Sequence, residues 1–328
     1  MMNKLKLTLA CGDYDRTRPL MDGTVAPEGV ELTYLPLPAT EIFWRMLRHL
    51  EFDVSEIGLV PYMLAVERGE PDLAGIPVFT SRSFRHSSIY VNAKKNINRP
   101  EDLAGKRIGC SSYVNSAAVW VRGILRDEYG IERDQIVWVE SRGVKQAFQA
   151  PPGVVIEGLP ADRTLAGMLA AGELDALISP RMPEAFAAGG SNIRRLFPDF
   201  AAAEKDYYRR TKIFPIMHIV VMRGELARAN PWLPTSLYKA FCLAKAQCMK
   251  ALYETTALKN TLPWMIAEVD EVRALFGQAD YWTYGLDDPL NRANLEVLAR
   301  YVHEQGITSR RIAPEELFDA SVLDMEKV

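Results

Sequence analysis

Residues 97–110 read INRPEDLAGKRIGC. A helical turn over the proline and its acids closes at Gly105, and a short apolar strand then runs to Gly109. The next stretch, SSYVNSAAVWVRGILRDEYG at 111–130, opens with serines suited to a helix start and continues as an amphipathic helix. IVWVE at 136–140 is another strand. Towards the N-terminus, LKLTLA (5–10) and VELTYLPL (30–37) alternate as strands, with a short helix over Pro19–Gly23 between them. ATEIFWRMLRHLEF (39–52) has helical apolar spacing with Thr40 as its cap, and VSEIGLVPYMLAVERG (54–69) reads as strand, turn and helix. Towards the C-terminus, DRTLAGMLAAGELDALISPRMP (162–183) gives a helix, a stop at Gly172 and a strand that opens into Arg181. FPIMHIVVMRGELARANPWL (214–233) gives a strand and the start of a long helix marked by Asn230 and Pro231. Strand and helix alternate throughout, which predicts an α/β fold with covering helices over parallel strands. Residues 97–110 begin the pattern a second time, which predicts two lobes.

The composition agrees. The chain has 328 residues, 48% apolar and 25% charged, enough for two lobes with cores of their own. A formal charge of −3 gives no global field for nucleic acid or an anionic bilayer, so a basic cluster acts locally and a small anion is the natural partner. Cys11, Cys110, Cys242 and Cys248 form neither a CxxC pair nor a disulfide framework, as expected of thiols in a reducing compartment. The N-terminal apolar run breaks at Gly12 and Asp13, short of an export signal, and no apolar run reaches membrane length. These features predict a cytoplasmic location.

The segments NINRPEDLAGKRIGC, GELDALISPRMP and FPIMHIVVMRGELARANPWL resemble the type II periplasmic-binding-protein superfamily almost end to end. A narrower set, DYDRTRPLMDGTV, DVSEIGLVPYML, RSFRHSSIYVN, IGCSSYVNSAAVWVRGIL and YGLDDPLNRANLEVLARYVHEQGI, resembles the 4,5-dihydroxyphthalate decarboxylases, cytosolic members of that superfamily. The resemblance implies a two-lobed α/β fold with a ligand cleft between lobes. It places lobe 1 at 1–88, lobe 2 at 89–220, and a return to lobe 1 with C-terminal helices at 221–328. It also implies non-oxidative decarboxylation of 4,5-dihydroxyphthalate, or a close phenolic acid, to 3,4-dihydroxybenzoate without a cofactor.

A ring with two carboxylates suits arginine, whose planar fork matches a carboxylate. Arg82 and Arg85 stand at the entry of the crossing strand, where they grip such a dianion or form hinge salt bridges. The loop after the first strand offers Asp13, Asp15, Arg16 and Arg18, since ligands of open α/β sheets bind beyond the carboxyl ends of strands; a solvated turn is the plainer reading. Ser111 and Ser112 bring backbone amides and a helix start, and Arg181 follows another strand. His218 in PIMHIVVM serves as an acid or as a core histidine, and Glu56 faces ligand or caps a helix. Tyr281, Trp282 and Tyr284 stack on a ligand or pack in the core. There is no HExxH, Cys/His cluster, GxGxxG after a strand, Walker loop or GxSxG, so no metal or cofactor is expected.

Direct loss of carbon dioxide from an aromatic carbon leaves an unstabilised aryl anion, whereas protonating that carbon as a para hydroxyl becomes a ketone provides an electron sink. That chemistry needs an acid, with His86 ranked first and His218 second. Asp13, Asp15 or Glu56 serves the hydroxyl, and Arg16, Arg82, Arg85 or Arg181 the retained carboxylate. The expected partner is a small anionic aromatic substrate, without nucleic acid or membrane, and with self-association left open. Two alternatives share the fold: an aromatic-acid binding protein without catalysis, and a lyase like the cytosolic chorismate dehydratases.

Overall fold

The computed structural model describes residues 4–70, 72–141, 148–189, 192–323 and 325. The chain folds as two compact units. The first comprises Met1–Arg82, His218–Leu295 and Ile312–Val328, and the second Ser83–Met217 and Glu296–Arg311.

In the first unit, alternation in LKLTLAC buries Leu7 and Leu9 while Lys6 faces solvent, which makes β1 (Leu5–Cys11). There follow α1 (Arg18–Met21), β2 (Val30–Pro36), α2 (Ala39–His49), β3 (Val54–Gly58), α3 (Leu59–Arg68) and β4 (Leu73–Arg82). β3 is buried at all of its positions, as a strand covered on both faces must be. α2 begins one residue before Thr40, with Pro38 at its cap position.

The second unit contains β5 (Ile89–Asn92), β6 (Arg107–Cys110), α4 (Ser116–Tyr129), β7 (Val137–Glu140), β8 (Val155–Gly158) and α5 (Leu165–Ala171). It continues through β9 (Ala176–Ile178), α6 (Glu184–Ala187), β10 (Ile193–Arg195) and α7 (Phe200–Thr211). The chain then returns through β11 (Ile216–Arg223) to α8 (Gly224–Ala229), α9 (Leu233–Ala251), α10 (Met265–Phe276) and α11 (Pro289–Glu304). The long helix α9 thus starts beyond Asn230 and Pro231, after a separate short helix.

The first sheet has the order β2-β1-β3-β11-β4, and β11 runs antiparallel to β3 with His218 opposite Gly58 and Val220 opposite Glu56. The second has the order β10-β5-β9-β6-β7-β8, parallel from β9 to β8 and antiparallel where β5 meets β9 and β10.

The unit boundaries fall after Arg82 and Met217 rather than after 88 and 220, and residues 296–311 group with the second unit rather than returning to the first. The cause lies on α4. Arg122 Nε donates to Gln305 Oε1 at 2.6 Å, and Gly123 leaves room for the Tyr301 ring, which a Cβ there would meet at 2.2 Å. Among the described residues no helix is long and apolar enough to cross a membrane.

Candidate active site

Glu56 is fully buried in the central strand β3 of the first unit. Its Oε1 accepts from the Gly12 backbone N–H at 3.1 Å, and its Oε2 from Thr80 Oγ1, on β4, at 3.1 Å. The Tyr14 hydroxyl lies 3.2 Å from Oε1 and 3.0 Å from Oε2. His218 Nδ1, from β11, is 3.5 Å from Oε2. Burial alone pushes the Glu56 carboxyl up, but His218, Tyr14 and Thr80 outweigh it and hold the group below the usual carboxylate range. Glu56 is therefore an anion at neutral pH, inside the protein. His218 keeps 20% of its side chain exposed, while Nδ1 is buried and makes no hydrogen bond of good geometry. Phe43 meets the imidazole edge-on at a centroid distance of 4.8 Å and fixes the ring plane.

The loop after β1 divides its charges. Asp13 and Arg18 pair with each other at 2.7 Å, both about half exposed, as in a solvated turn. Arg16 turns inward. Its Nε donates to the Thr80 carbonyl at 2.8 Å, its Nη1 pairs with Asp15, and its guanidinium lies 4.2 Å from the Tyr14 ring centre and 4.3 Å from that of Trp282. Trp282 is itself anchored through Nε1 to the Phe79 carbonyl at 2.8 Å. Arg82 is also buried, and its Nη2 donates to the Thr283 carbonyl at 3.1 Å and to Asn291 Oδ1. That geometry favours a brace from β4 to Thr283 and the first turn of α11 over a ligand clamp.

The second unit holds the remaining candidates. Arg85 is buried, with Nε on Met217 Sδ at 3.2 Å and Nη1 3.5 Å from Ser88 Oγ, and no carboxylate lies within 4 Å among the described residues. Burial pushes its guanidinium down to about 10, which leaves it charged at neutral pH. His86 is 2% exposed, packed against Phe197 and Tyr207, with Nδ1 unpartnered. Burial first and the charge of Arg210 second push its imidazole down to about 4. A group of that kind is neutral at pH 7, which makes it a weak general acid.

Ser111 and Ser112 precede α4 without capping it; the cap is Asn115, whose side chain accepts from the N–H of Ala117 and Ala118. Ser111 and Arg181 line one cavity of about 500 Å³, together with Ser179, Thr164 and an apolar wall that includes Leu165 and Leu177. The structure thus brings Glu56, His218 and Arg16 together in one unit and Ser111 and Arg181 in the other. It sets Asp13 and Arg18 apart on the surface.

Tyr14 and Thr80 were not singled out by the sequence. A signal for Tyr14 is present in Gly12, where a Cβ would stand 2.7–2.9 Å from the end of the tyrosine side chain, so a side chain there would require Tyr14 to move. Nothing in the pattern of β4 marks Thr80. Among the described residues, no cluster of three or more His, Cys, Asp or Glu side chains is arranged to hold a metal ion.

No family model matches the chain. It is 40% identical, over the full length of both chains, to a 4,5-dihydroxyphthalate decarboxylase from Comamonas testosteroni. It is also 40% identical to one from Pseudomonas putida over 64% of this chain and 83% of that one. Among solved structures it resembles the periplasmic sulfonate-binding protein SsuA of Methylobacillus flagellatus KT, with a TM-score of 0.56 and 14% identity over 97% of this chain and 92% of that one. The SsuA likeness shows the two-lobed binding-protein fold and nothing of the chemistry. The identity to the two decarboxylases goes further: the chain belongs to the 4,5-dihydroxyphthalate decarboxylase family and is a carbon–carbon lyase.

Proposed function

We propose that the chain releases carbon dioxide from 4,5-dihydroxyphthalate, or a close phenolic carboxylic acid, and that the product from 4,5-dihydroxyphthalate is 3,4-dihydroxybenzoate. The observation that carries the reading is the buried Glu56 anion beside His218, in a chain 40% identical end to end to a decarboxylase of that name. A proton adds to the ring carbon that bears the leaving carboxylate, while the para hydroxyl gives up its own and becomes a ketone. The bond to the carboxylate then breaks, its electron pair returns to the ring, and the ketone oxygen recovers a proton. The reaction is redox-neutral. His218 is assigned the proton delivery, with the Glu56 carboxylate 3.5 Å from its Nδ1.

The retained carboxylate is assigned to an arginine. Arg85 and Arg181 meet no carboxylate within 4 Å among the described residues, whereas Arg16, Arg18 and Arg82 are engaged by the groups named above. Ser111 and Ser112 remain accessory donors in the same reading. An arginine on the departing carboxylate would stabilise the ground state more than the transition state, so none is assigned there.

The test is incubation of purified, chelator-treated protein with 4,5-dihydroxyphthalate in heavy water. Many equivalents of substrate are expected to turn over, with one deuterium at the carbon that lost its carboxylate. Tight binding of aromatic acids without turnover would sink the reading, and activity restored only by a divalent ion would overturn its metal-free part.

A further inference from the structure

We infer that Tyr14 is a positioning residue for the reaction: its hydroxyl, held against both oxygens of Glu56, keeps that carboxylate charged and aimed at His218. The inference rests on the reading of Glu56 and His218 given above. A buried carboxylate loses its hydration and stays ionised only if hydrogen bonds replace it. Among the described residues Glu56 has four polar neighbours, Gly12, Tyr14, Thr80 and His218, and of these Tyr14 alone stands within hydrogen-bond distance of both oxygens.

Tyr14 is built into place from three sides. Gly12 supplies the space for its ring. The Arg16 guanidinium lies 4.2 Å from the centre of the Tyr14 ring and 4.3 Å from that of Trp282, so the cation is a wedge shared by two aromatic groups. The loop that carries Tyr14 is tied down by the Tyr34 hydroxyl, which donates to the Gly12 carbonyl at 2.6 Å and lies 2.9 Å from Thr17 Oγ1. Burial, and then the neighbouring Glu56 charge, push the Tyr14 hydroxyl well above its usual range. Tyr14 is accordingly a neutral donor over the whole working range of pH, a fixed dipole rather than a second acid.

This gives Arg16 a role other than substrate binding. Its charge is spent on the Thr80 carbonyl, on Asp15 and on two rings, so Arg16 contacts both residues, Tyr14 and Thr80, whose hydroxyls reach Glu56.

The experiment compares Tyr14→Phe, His218→Asn and the wild type by pH profile. Phenylalanine keeps the ring, its fit on Gly12 and its stacking on Arg16, and removes only the donor. The apparent pKa of Glu56 then rises, so the acid limb of kcat should move up by about one pH unit or more, costing roughly tenfold at the acid edge and much less at alkaline pH. Binding of a non-reacting dicarboxylate should change little. An acid limb at its wild-type position in Tyr14→Phe, with His218→Asn inactive, overturns the role of Tyr14 alone. Full activity in His218→Asn instead overturns the underlying assignment of the acid, whatever Tyr14→Phe does. Should Tyr14→Phe fold poorly, the C–O stretch of Glu56 followed by infrared difference spectroscopy in Arg16→Lys reports the same rise, because loosening the wedge releases the hydroxyl; an unchanged titration counts against the inference.

Discussion

Two histidines from different sequence settings end in different surroundings, and the difference lies in their neighbours. His218 has a buried anion at 3.5 Å and an open ring edge; His86 has aromatic rings and the cation Arg210. An acid needs a proton at working pH, and the burial of His86 opposes one. His218→Asn is therefore expected to lower kcat by roughly a hundredfold or more while analogue affinity changes little, read from saturation kinetics and calorimetry. His86→Gln should keep kcat within a few-fold per folded molecule. If the His218 variant stays active while the His86 variant dies with its fold intact, the assignment is reversed. The sequence ranks His86 first without sight of the spatial partners, Glu56 for His218 and Arg210 for His86, which come from distant parts of the chain. His218 reads as a polar break in an apolar run, and His86 as part of a cationic cluster at a strand entrance.

At the scale of elements, alternation and glycine stops were legible because they are local. β1, the turn closed by Gly105 and the end of α5 at Gly172 all stand where the spacing puts them, and both glycines adopt positive φ. Caps are less legible. In SSYVNSA four residues are able to cap, and the backbone decides among them: only Asn115 has extended φ and ψ directly before the first helical residue, Ser116. Asn115→Ala should cost about 1 kcal/mol in urea denaturation, whereas Ser111→Ala and Ser112→Ala should leave stability within about 0.5 kcal/mol. A loss of stability at either serine equal to that at Asn115 would move the cap. The same locality explains Arg82 and Arg85. The charge cluster was visible, but the partners that take up Arg82, Thr283 and Asn291, are contributed by a segment near the other end of the chain.

On the scale of the whole molecule, the chain passes between its two units four times, yet each unit keeps its own sheet and its own titrating interior. The second carries His86, surrounded by Phe197, Tyr207 and Arg210, with Arg85 beside it in sequence and Glu204 bound to the adjacent Ser87 N–H. The folded imidazole titrates near 4 against about 6.5 when unfolded, so the unfolded state binds more protons throughout that window. The stability this represents is present above about pH 6.5 and is lost as pH falls towards 4, on the order of 3 kcal/mol in all. Glu204 acts with the opposite sign: burial raises its carboxyl, so its contribution is present at low pH and lost as pH rises through the folded value. Glu56, in the first unit, is held below the usual range, and its contribution persists until pH falls below the ordinary carboxylate value. Between about pH 6.5 and 5 the first unit thus keeps its carboxylate anchor while the second is already losing the histidine term. Hydrogen exchange at about pH 5 should show the strands β5, β9 and β10 opening more readily than β1, β3 and β11, relative to pH 7. His86→Phe removes the titrating group while keeping a ring between Phe197 and Tyr207, and should abolish the difference. Equal loss of protection in both sheets, or a difference that survives in the phenylalanine variant, would show that His86 does not set the acid response.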